Sequence, residues 1–244
     1  MWKPLPTDLT LPKDEVHIWR ADLDLPTNRV DELTQTLSLD ERARAERFYF
    51  ERDRKRFIVG RGGLRAILGR YLGLDPTQLQ FSYSSRGKPA LANPSLDGRL
   101  FFNVSHSQGL ALYGVSCDRA IGIDLEYIRP IEAEQLAKRF FSDPEYAAIS
   151  SLPPELQKAA FFKGWVCKEA YLKATGEGLI GLEQVEVSVI PNEPAQLLSI
   201  AGDREAAKRW LLQELFPHPD YASAVVVEGQ GVNIRFFSED FGDF

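Results

Sequence analysis

The sequence is short of the residues from which several common kinds of site are built. It has two cysteines, Cys117 and Cys167, far apart and without CxxC spacing, and three histidines among 244 residues. Two separated thiols exclude a disulfide framework and a cysteine zinc site, so we expect both to be free and structural. The three histidines are too few and too scattered for a multi-histidine metal centre.

Long apolar runs are also missing. No stretch approaches the 18 or so consecutive apolar residues of a membrane-spanning helix, and the opening MWKPLPTDLTLPKDE lacks the apolar segment of a signal peptide. We therefore expect a cytoplasmic protein with no membrane partner. An apolar content of 44% with 26% charged residues is typical of a soluble globular chain.

Positive charge is scarce overall but concentrated in one segment. The net charge of −6 argues against a general nucleic-acid-binding protein. Between Arg42 and Arg70, however, ten basic residues face three acidic ones, so this segment carries +7 and the remainder −13. A local positive field favours a small polyanionic ligand. A solvated helix face is the alternative.

The order of predicted elements indicates an α+β fold. SLDE at 38–41 is typical of a capping box, with Ser38 capping and Glu41 reaching back, and it opens a helical region that runs with a break to about residue 72. LQFSYSS, LFFNVSHS and LALYGVS follow as predicted strands. The glycine-rich GRGGLRAILGRYLG satisfies neither GxGxxG nor GxxxxGK[ST], which excludes a Rossmann or P-loop site.

The second half of the chain repeats this helix-to-strand order. GGLRAILGRYLGLDPTQLQFSY and VCKEAYLKATGEGLIGLEQVEVSV lie about 104 residues apart when Ala66 is aligned with Ala170. The repeat predicts two similar α+β halves, divided near residues 118–120, with a cleft between them. Chance recurrence of a helix followed by a strand is the alternative.

Two carboxylates interrupt the apolar run IGIDLEYIRP. On a strand, Asp124 and Glu126 share one face while Ile123 and Leu125 share the other. A divalent cation would offset the repulsion between the two acids. Taken alone, the pattern also occurs by chance on strands that face water.

The helix FFKGWVCKEAYLKATGEG offers a third carboxylate. Its apolar stripe of Phe162, Trp165 and Val166 continues at the same spacing to Glu169 and Lys173. A surface ion pair between these last two residues is the simplest interpretation of the helix alone. Together with the strand carboxylates, however, Glu169 would complete an oxygen site of the kind that Mg²⁺ prefers.

Other polar residues fit phosphate or ribose recognition. Ser105 and His106 in FFNVSHS are adjacent on a strand and therefore diverge, and no GxSxG motif is present, so nucleophile-and-base catalysis by this pair is excluded. Lys88 in RGKPAL is a further candidate phosphate contact. Ordinary turn roles are the alternative for all three residues.

Five motifs in order resemble one family. RGKPAL, FFNVSHS, IGIDLEYIRP, FFSDPEY and FFKGWVCKEAYLKATGEGL are together similar to the Sfp-type 4′-phosphopantetheinyl transferases, over about residues 40–190. The resemblance implies a monomeric α+β fold of two pseudo-twofold-related subdomains, 1–119 and 120–244, each a small antiparallel sheet packed with a long helix. It implies transfer of the phosphopantetheine arm from coenzyme A to a serine of an apo acyl or peptidyl carrier protein, releasing adenosine 3′,5′-bisphosphate.

The same resemblance assigns roles to residues. Asp124, Glu126 and Glu169 match the Mg²⁺ positions, with Mn²⁺ as the alternative metal, and Glu169, or a water that it orients, is the expected base. Lys173 matches the catalytic lysine on the pyrophosphate. The expected contacts to coenzyme A are Arg44, Arg86, Lys88, Ser105, His106 and Lys173. Glu41 stands where some bacterial members carry a lysine, so contact with the 3′-phosphate is expected to be rearranged.

Two other functions stay open from the sequence. Another Mg²⁺-dependent phosphotransferase or a nuclease would use the same three carboxylates. A non-catalytic basic module for nucleic acid would bind with steep salt dependence, but the acidic remainder of the chain counts against it. The apolar residues that follow the carboxylate strand, Tyr127, Ile128, Ile131 and Leu136, fit either carrier docking or core packing. The sequence does not distinguish fatty acid, polyketide and nonribosomal peptide carriers.

Overall fold

The structure is a computed structural model that describes residues 2–4, 6, 9–92 and 100–241. Its helices are α1 Thr27–Thr36, α2 Leu39–Ala45, α3 Glu51–Leu72, α4 Ala133–Phe140, α5 Asp143–Ser150, α6 Pro154–Thr175 and α7 Arg204–Ala207. Its strands are β1 Glu15–Asp22, β2 Phe81–Tyr83, β3 Pro89–Leu91, β4 Leu100–Ser107, β5 Leu110–Cys117, β6 Ile121–Tyr127, β7 Val185–Val187, β8 Leu197–Ile200, β9 Trp210–Leu215, β10 Tyr221–Glu228 and β11 Asn233–Glu239. Short 3-10 helices follow α3 and α6 at Pro76–Gln78 and Leu179–Gln184.

The strands form two main sheets and two small hairpins. The first sheet has the order β11-β1-β5-β4, antiparallel except where β1 pairs in parallel with β11. The second has the order β6-β10-β9 and is antiparallel throughout. The predicted α+β class is confirmed.

The two halves share one topology. In the first sheet β1 pairs with β5, and β5 pairs with β4. In the second sheet β6 pairs with β10, and β10 pairs with β9, which is the same order of connections. The long helices α3 and α6 each have 22 residues and end at a left-handed glycine, Gly73 or Gly176, where the missing Cβ removes the steric penalty of positive φ. These caps lie 103 residues apart, so the spacing of 104 residues was wrong by one, and Glu169 rather than Ala170 corresponds to Ala66.

Each half also contains a buried ion pair between a capping-box glutamate and its long helix. Glu41 lies 2.6 Å from Arg65, and Glu145 lies 2.5 Å from Lys168. Both glutamates accept the backbone N–H of their N-cap residue at 2.9 Å, which confirms the capping box predicted at Ser38. These charges are compatible with burial because each has both a counter-ion and hydrogen bonds.

One part of the seam between the halves is apolar. Ile18 and Leu112 from the first sheet pack in one cluster with Ile123 and Val225 from the second. On the opposite face of β6, Gly122 lies against α6 so closely that a Cβ atom would come within 2.0 Å of the Ala170 carbonyl oxygen. Helix α6 is therefore held directly on the strand that carries the two carboxylates.

The C-terminal strand crosses the predicted subdomain boundary. β11 follows the second sheet in the chain but pairs with β1 of the first sheet. The division into 1–119 and 120–244 stays a prediction. Among the described residues, no helix combines the length and apolar character needed to cross a membrane.

Candidate active site

The carboxylates predicted on β6 and α6 lie together where this helix covers the strand. Asp124 is 3% exposed, whereas Glu126 and Glu169 are half-buried. Burial and the negative charge of Asp124 raise the pKa of Glu169 to about 7 and also raise the pKa of Glu126. Because the charge of Asp124 contributes to both shifts, the three carboxylates lie close enough to interact electrostatically.

Lys173 is the cation of this cluster. Its Nζ donates to Asp124 Oδ1 at 2.6 Å and to Ser105 Oγ at 2.9 Å, while Ser105 Oγ donates to Asp124 Oδ1 at 3.0 Å. The lysine thus forms its ion pair across to β6, in place of the surface pair with Glu169 that the helix alone suggested.

One carboxylate oxygen of this cluster is free to bind a metal ion. Asp124 Oδ2 is buried and has no hydrogen-bond partner, which leaves one carboxylate oxygen of the cluster available to a cation. Oxygen donors of this kind suit Mg²⁺. Within the described parts of the chain, no three His, Cys, Asp or Glu side chains already converge closely enough to hold a metal. The donor chemistry fits, and the predicted metal role of Asp124, Glu126 and Glu169 stays a prediction.

A cavity of about 220 Å³ opens beside the cluster. Its lining includes Glu169 and Lys173 from α6 and Arg86 and Lys88 from the turn between β2 and β3. Lys88 Nζ donates to the Ala174 carbonyl oxygen at 2.7 Å, and burial lowers the pKa of Lys88. The predicted cations of both halves therefore line one space.

A second cavity, of about 250 Å³, continues the first. Both are lined by Gly87, Pro89 and Val104. The polar side chains that line the second cavity are Arg44, Arg56, Arg61, Tyr83 and His106. Partial desolvation and the nearby positive charges of Lys173 and Arg44 lower the pKa of His106, although the residue itself is exposed. The two cavities form a cationic cleft, a name kept below for both together.

The sequence analysis did not predict three of the side chains that line the second cavity. Arg56, Arg61 and Tyr83 were not singled out as ligand contacts, although both arginines lie in the basic segment. Phe57, Gly60, Arg61 and Leu64 recur at helical spacing, so the period of α3 was the available signal. Arg44 also lines this cavity, with its guanidinium 5.4 Å from the centre of the Phe57 ring, and its predicted contact with coenzyme A stays a prediction.

The sequence analysis singled out Ser105 as a ligand contact but did not predict that alternate side chains of β4 form a row facing β6. These two strands are edges of different sheets and share no backbone ladder. Side-chain oxygens of β4 instead accept β6 backbone N–H groups: Asn103 from Ile123 at 3.0 Å, Ser105 from Leu125 at 3.2 Å and Ser107 from Tyr127 at 3.1 Å. The alternation N-x-S-x-S in LFFNVSHS was the signal.

The candidate docking residues after β6 have mainly a packing role. Ile128, Ile131 and Leu136 are partly buried against the core of the second half, whereas Tyr127 is 36% exposed. Core packing therefore accounts for the three aliphatic residues.

Comparisons with known proteins agree with this architecture. Residues 120–226 match the family model of the 4′-phosphopantetheinyl transferase superfamily, and residues 25–116 match that of the 4′-phosphopantetheinyl transferase N-terminal region. The chain is 51% identical over 237 residues to the 4′-phosphopantetheinyl transferase HetI of Nostoc sp., covering 97% of each chain.

Two Bacillus proteins are similar over shorter regions. Identity to the 4′-phosphopantetheinyl transferase psf-1 of Bacillus pumilus is 39% over 152 residues, 62% of this chain and 63% of the relative. Identity to the 4′-phosphopantetheinyl transferase Sfp of Bacillus subtilis is 34% over 143 residues, 59% of this chain and 62% of the relative. Because family models match both halves and one relative matches nearly the whole length, the chain belongs to the 4′-phosphopantetheinyl transferase superfamily of enzymes.

Proposed function

We propose that this protein transfers the 4′-phosphopantetheine group from coenzyme A to a serine hydroxyl of an apo acyl or peptidyl carrier protein and releases adenosine 3′,5′-bisphosphate. The observation that carries the proposal is that Glu169 and Lys173, the latter bound to Asp124, line one end of the cationic cleft. Family membership supplies the reaction class.

The charges of the cleft suit coenzyme A, which carries a pyrophosphate and a separate 3′-phosphate. Arg86, Lys88 and Lys173 line the part next to the acids, where a pyrophosphate would have to lie for transfer. Arg44 and His106 line the adjoining part, which supports their proposed contact with the other phosphate. The Ser105 hydroxyl already takes part in three hydrogen bonds, so its proposed contact with coenzyme A would replace one of them.

The surroundings of Glu41 support the expectation that contact with the 3′-phosphate is rearranged in this chain. It is 3% exposed and bound to Arg61 and Arg65, so it does not face a ligand. Its Oε1 lies 2.5 Å from Arg61 Nε, which holds the guanidinium at the second cavity. We infer that Arg61 supplies the positive charge that a lysine at the position of Glu41 would have supplied.

Asp124, Glu126 and Glu169 would hold Mg²⁺, or alternatively Mn²⁺, which would neutralise phosphate charge when bound. The remaining steps belong to the protein's own groups. Glu169 accepts the proton of the incoming serine hydroxyl, directly or through a water, because it is the carboxylate that lines the cleft beside Lys173. The serine oxygen forms its bond to phosphorus as the bond to the leaving phosphate breaks. Lys173 stabilises the charge on the leaving group.

Intact-mass spectrometry of an apo carrier protein, incubated with this protein, coenzyme A and Mg²⁺, tests the proposal. We expect a gain of about 340 Da on the carrier, the mass of the phosphopantetheine arm, lost with Glu169→Gln or with EDTA. Glu155→Gln removes an exposed carboxylate from the far end of the same helix and should leave the gain unchanged. If several apo carriers stay unmodified while coenzyme A binds, the proposed acceptor is wrong. The result would then favour another phosphotransferase reaction.

A further inference from the structure

The row on β4 does more than join the two sheets. The N–H groups of Ile123, Leu125 and Tyr127 point away from β10, because alternate residues of a strand direct their N–H groups to opposite edges. The N–H groups of Ile123 and Leu125 are buried and need acceptors, whereas the Tyr127 N–H lies at the exposed end of the row. Any acceptor on β4 would meet that need, and Asn103 does so opposite Gly122 and Ile123, where β6 carries no carboxylate.

At the other two positions the acceptor is a hydroxyl, and it also contacts a carboxylate. Ser105 accepts from Leu125 N–H and donates to Asp124 Oδ1 at 3.0 Å. Ser107 accepts from Tyr127 N–H and donates to Glu126 Oε2 at 3.4 Å. A hydroxyl has both lone pairs and a proton, so one serine can bind an N–H and the carboxylate beside it at once.

The two serines on β4 have the same two-residue spacing as the two acids on β6. Each serine binds the carboxylate of one β6 residue and the backbone N–H of the next, and the pattern repeats two residues later. Asp124 and Glu126 belong to one half of the protein and both serines belong to the other. The orientation of the two carboxylates therefore depends on how the halves pack against each other.

We propose that Ser107 is a positioning residue for Glu126: its hydroxyl fixes this carboxylate relative to β6 and so sets the affinity of the acidic cluster for a divalent cation. The inference rests on the proposed function in that Glu126 is taken as a cation ligand. Partners that orient metal ligands typically change metal affinity by about 10- to 100-fold when removed. The Ser107 contact is long and the residue half-buried, so we expect the lower end of that range.

The test is a calorimetric titration of Mn²⁺ into the full-length protein with saturating coenzyme A, alongside thermal unfolding. Ser107→Ala should weaken Mn²⁺ binding about tenfold. Ser107→Thr keeps the hydroxyl and should bind Mn²⁺ as the wild type does. If Ser107→Ala does not fold, Ser107→Cys keeps the side-chain size with a weaker hydrogen bond and should show a smaller loss in the same direction.

Ser116→Ala is the matched control. Ser116 is a fully buried strand serine whose hydroxyl donates to the Arg119 carbonyl oxygen, away from the acids. Its loss should lower the melting temperature without changing Mn²⁺ affinity. The proposal is overturned if Ser107→Ala (or its Cys substitute) binds Mn²⁺ like the wild type, or if Ser116→Ala weakens binding equally. Failure of the wild type itself to bind Mn²⁺ or modify a carrier would count against the proposed function instead.

Discussion

Gly122→Ala tests whether the contact between β6 and α6 holds the site together. The new Cβ would lie 2.0 Å from the Ala170 carbonyl oxygen and 2.3 Å from the Ala174 nitrogen. Both obstacles are backbone atoms, so no side-chain rotation relieves the clash and the helix must move away from the strand. Overpacking typically costs about 1–3 kcal/mol and sometimes more. With rigid obstacles we expect about 3 kcal/mol, or a melting temperature lowered by roughly 6–12 °C.

The same displacement of α6 should also slow transfer of the phosphopantetheine group to the carrier, and this loss of rate should be the larger effect. Helix α6 carries Glu169 and Lys173, and its displacement would move both relative to Asp124 on β6. A misplacement of about 1 Å can cost roughly a hundredfold in rate. We therefore expect carrier modification by Gly122→Ala to slow by about that factor, under conditions where circular dichroism shows the protein to be folded.

Gly60→Ala serves as the control for the stability measurement only, because Gly60 lines the second cavity. A Cβ at this α3 position would meet only Leu23 Cδ2, at 3.8 Å, so unfolding free energy should be unchanged or up to about 1 kcal/mol higher. Urea unfolding followed by tryptophan fluorescence measures both variants. A Gly122→Ala protein within about 0.5 kcal/mol of the wild type, with normal transfer, would refute the packing argument.

Three further outcomes follow from buried charges. Lys168→Met should lower unfolding free energy by about 3–5 kcal/mol, because Glu145 is left charged and unpaired; a loss below about 1 kcal/mol in urea titration would contradict this. Folding raises the pKa of Glu169 from 4.5 to about 7, so the folded wild type loses stability as pH rises through that range. With EDTA at pH 8, Glu169→Gln should therefore have an unfolding free energy about 1–3 kcal/mol higher than the wild type. This difference should vanish by about pH 4, where both the folded and the unfolded wild type carry a protonated Glu169. Burial lowers the pKa of His17, so the unfolded chain binds a proton at a higher pH than the folded protein does. The unfolding free energy of the wild type should therefore fall as pH drops below about 6.5. In thermal melts, His17→Gln should show a weaker dependence on pH.

Much of the local structure was readable from the sequence because its causes are local. The capping box at 38–41, the break before α3 and the strand LFFNVSHS as β4 all follow from residue spacing within a few positions. The shared face of Asp124 and Glu126 follows from the alternation of a strand. The alignment of the two halves by alanines was one residue out because apolar matches slide easily, whereas the glycine caps are fixed by backbone geometry.

The sequence by itself therefore indicated the helix-to-strand order around α3 and α6, the acids and several of the cations of the candidate site, and the family they resemble. Only the tertiary structure decided which of these groups meet. Lys173 pairs with Asp124 rather than Glu169, Glu41 is buried in an ion pair, and β11 returns to pair with β1. The serine row of β4 likewise acts only once β6 lies beside it. Such contacts join residues far apart in the chain, and their energies depend on burial and distance, which local periodicity does not encode.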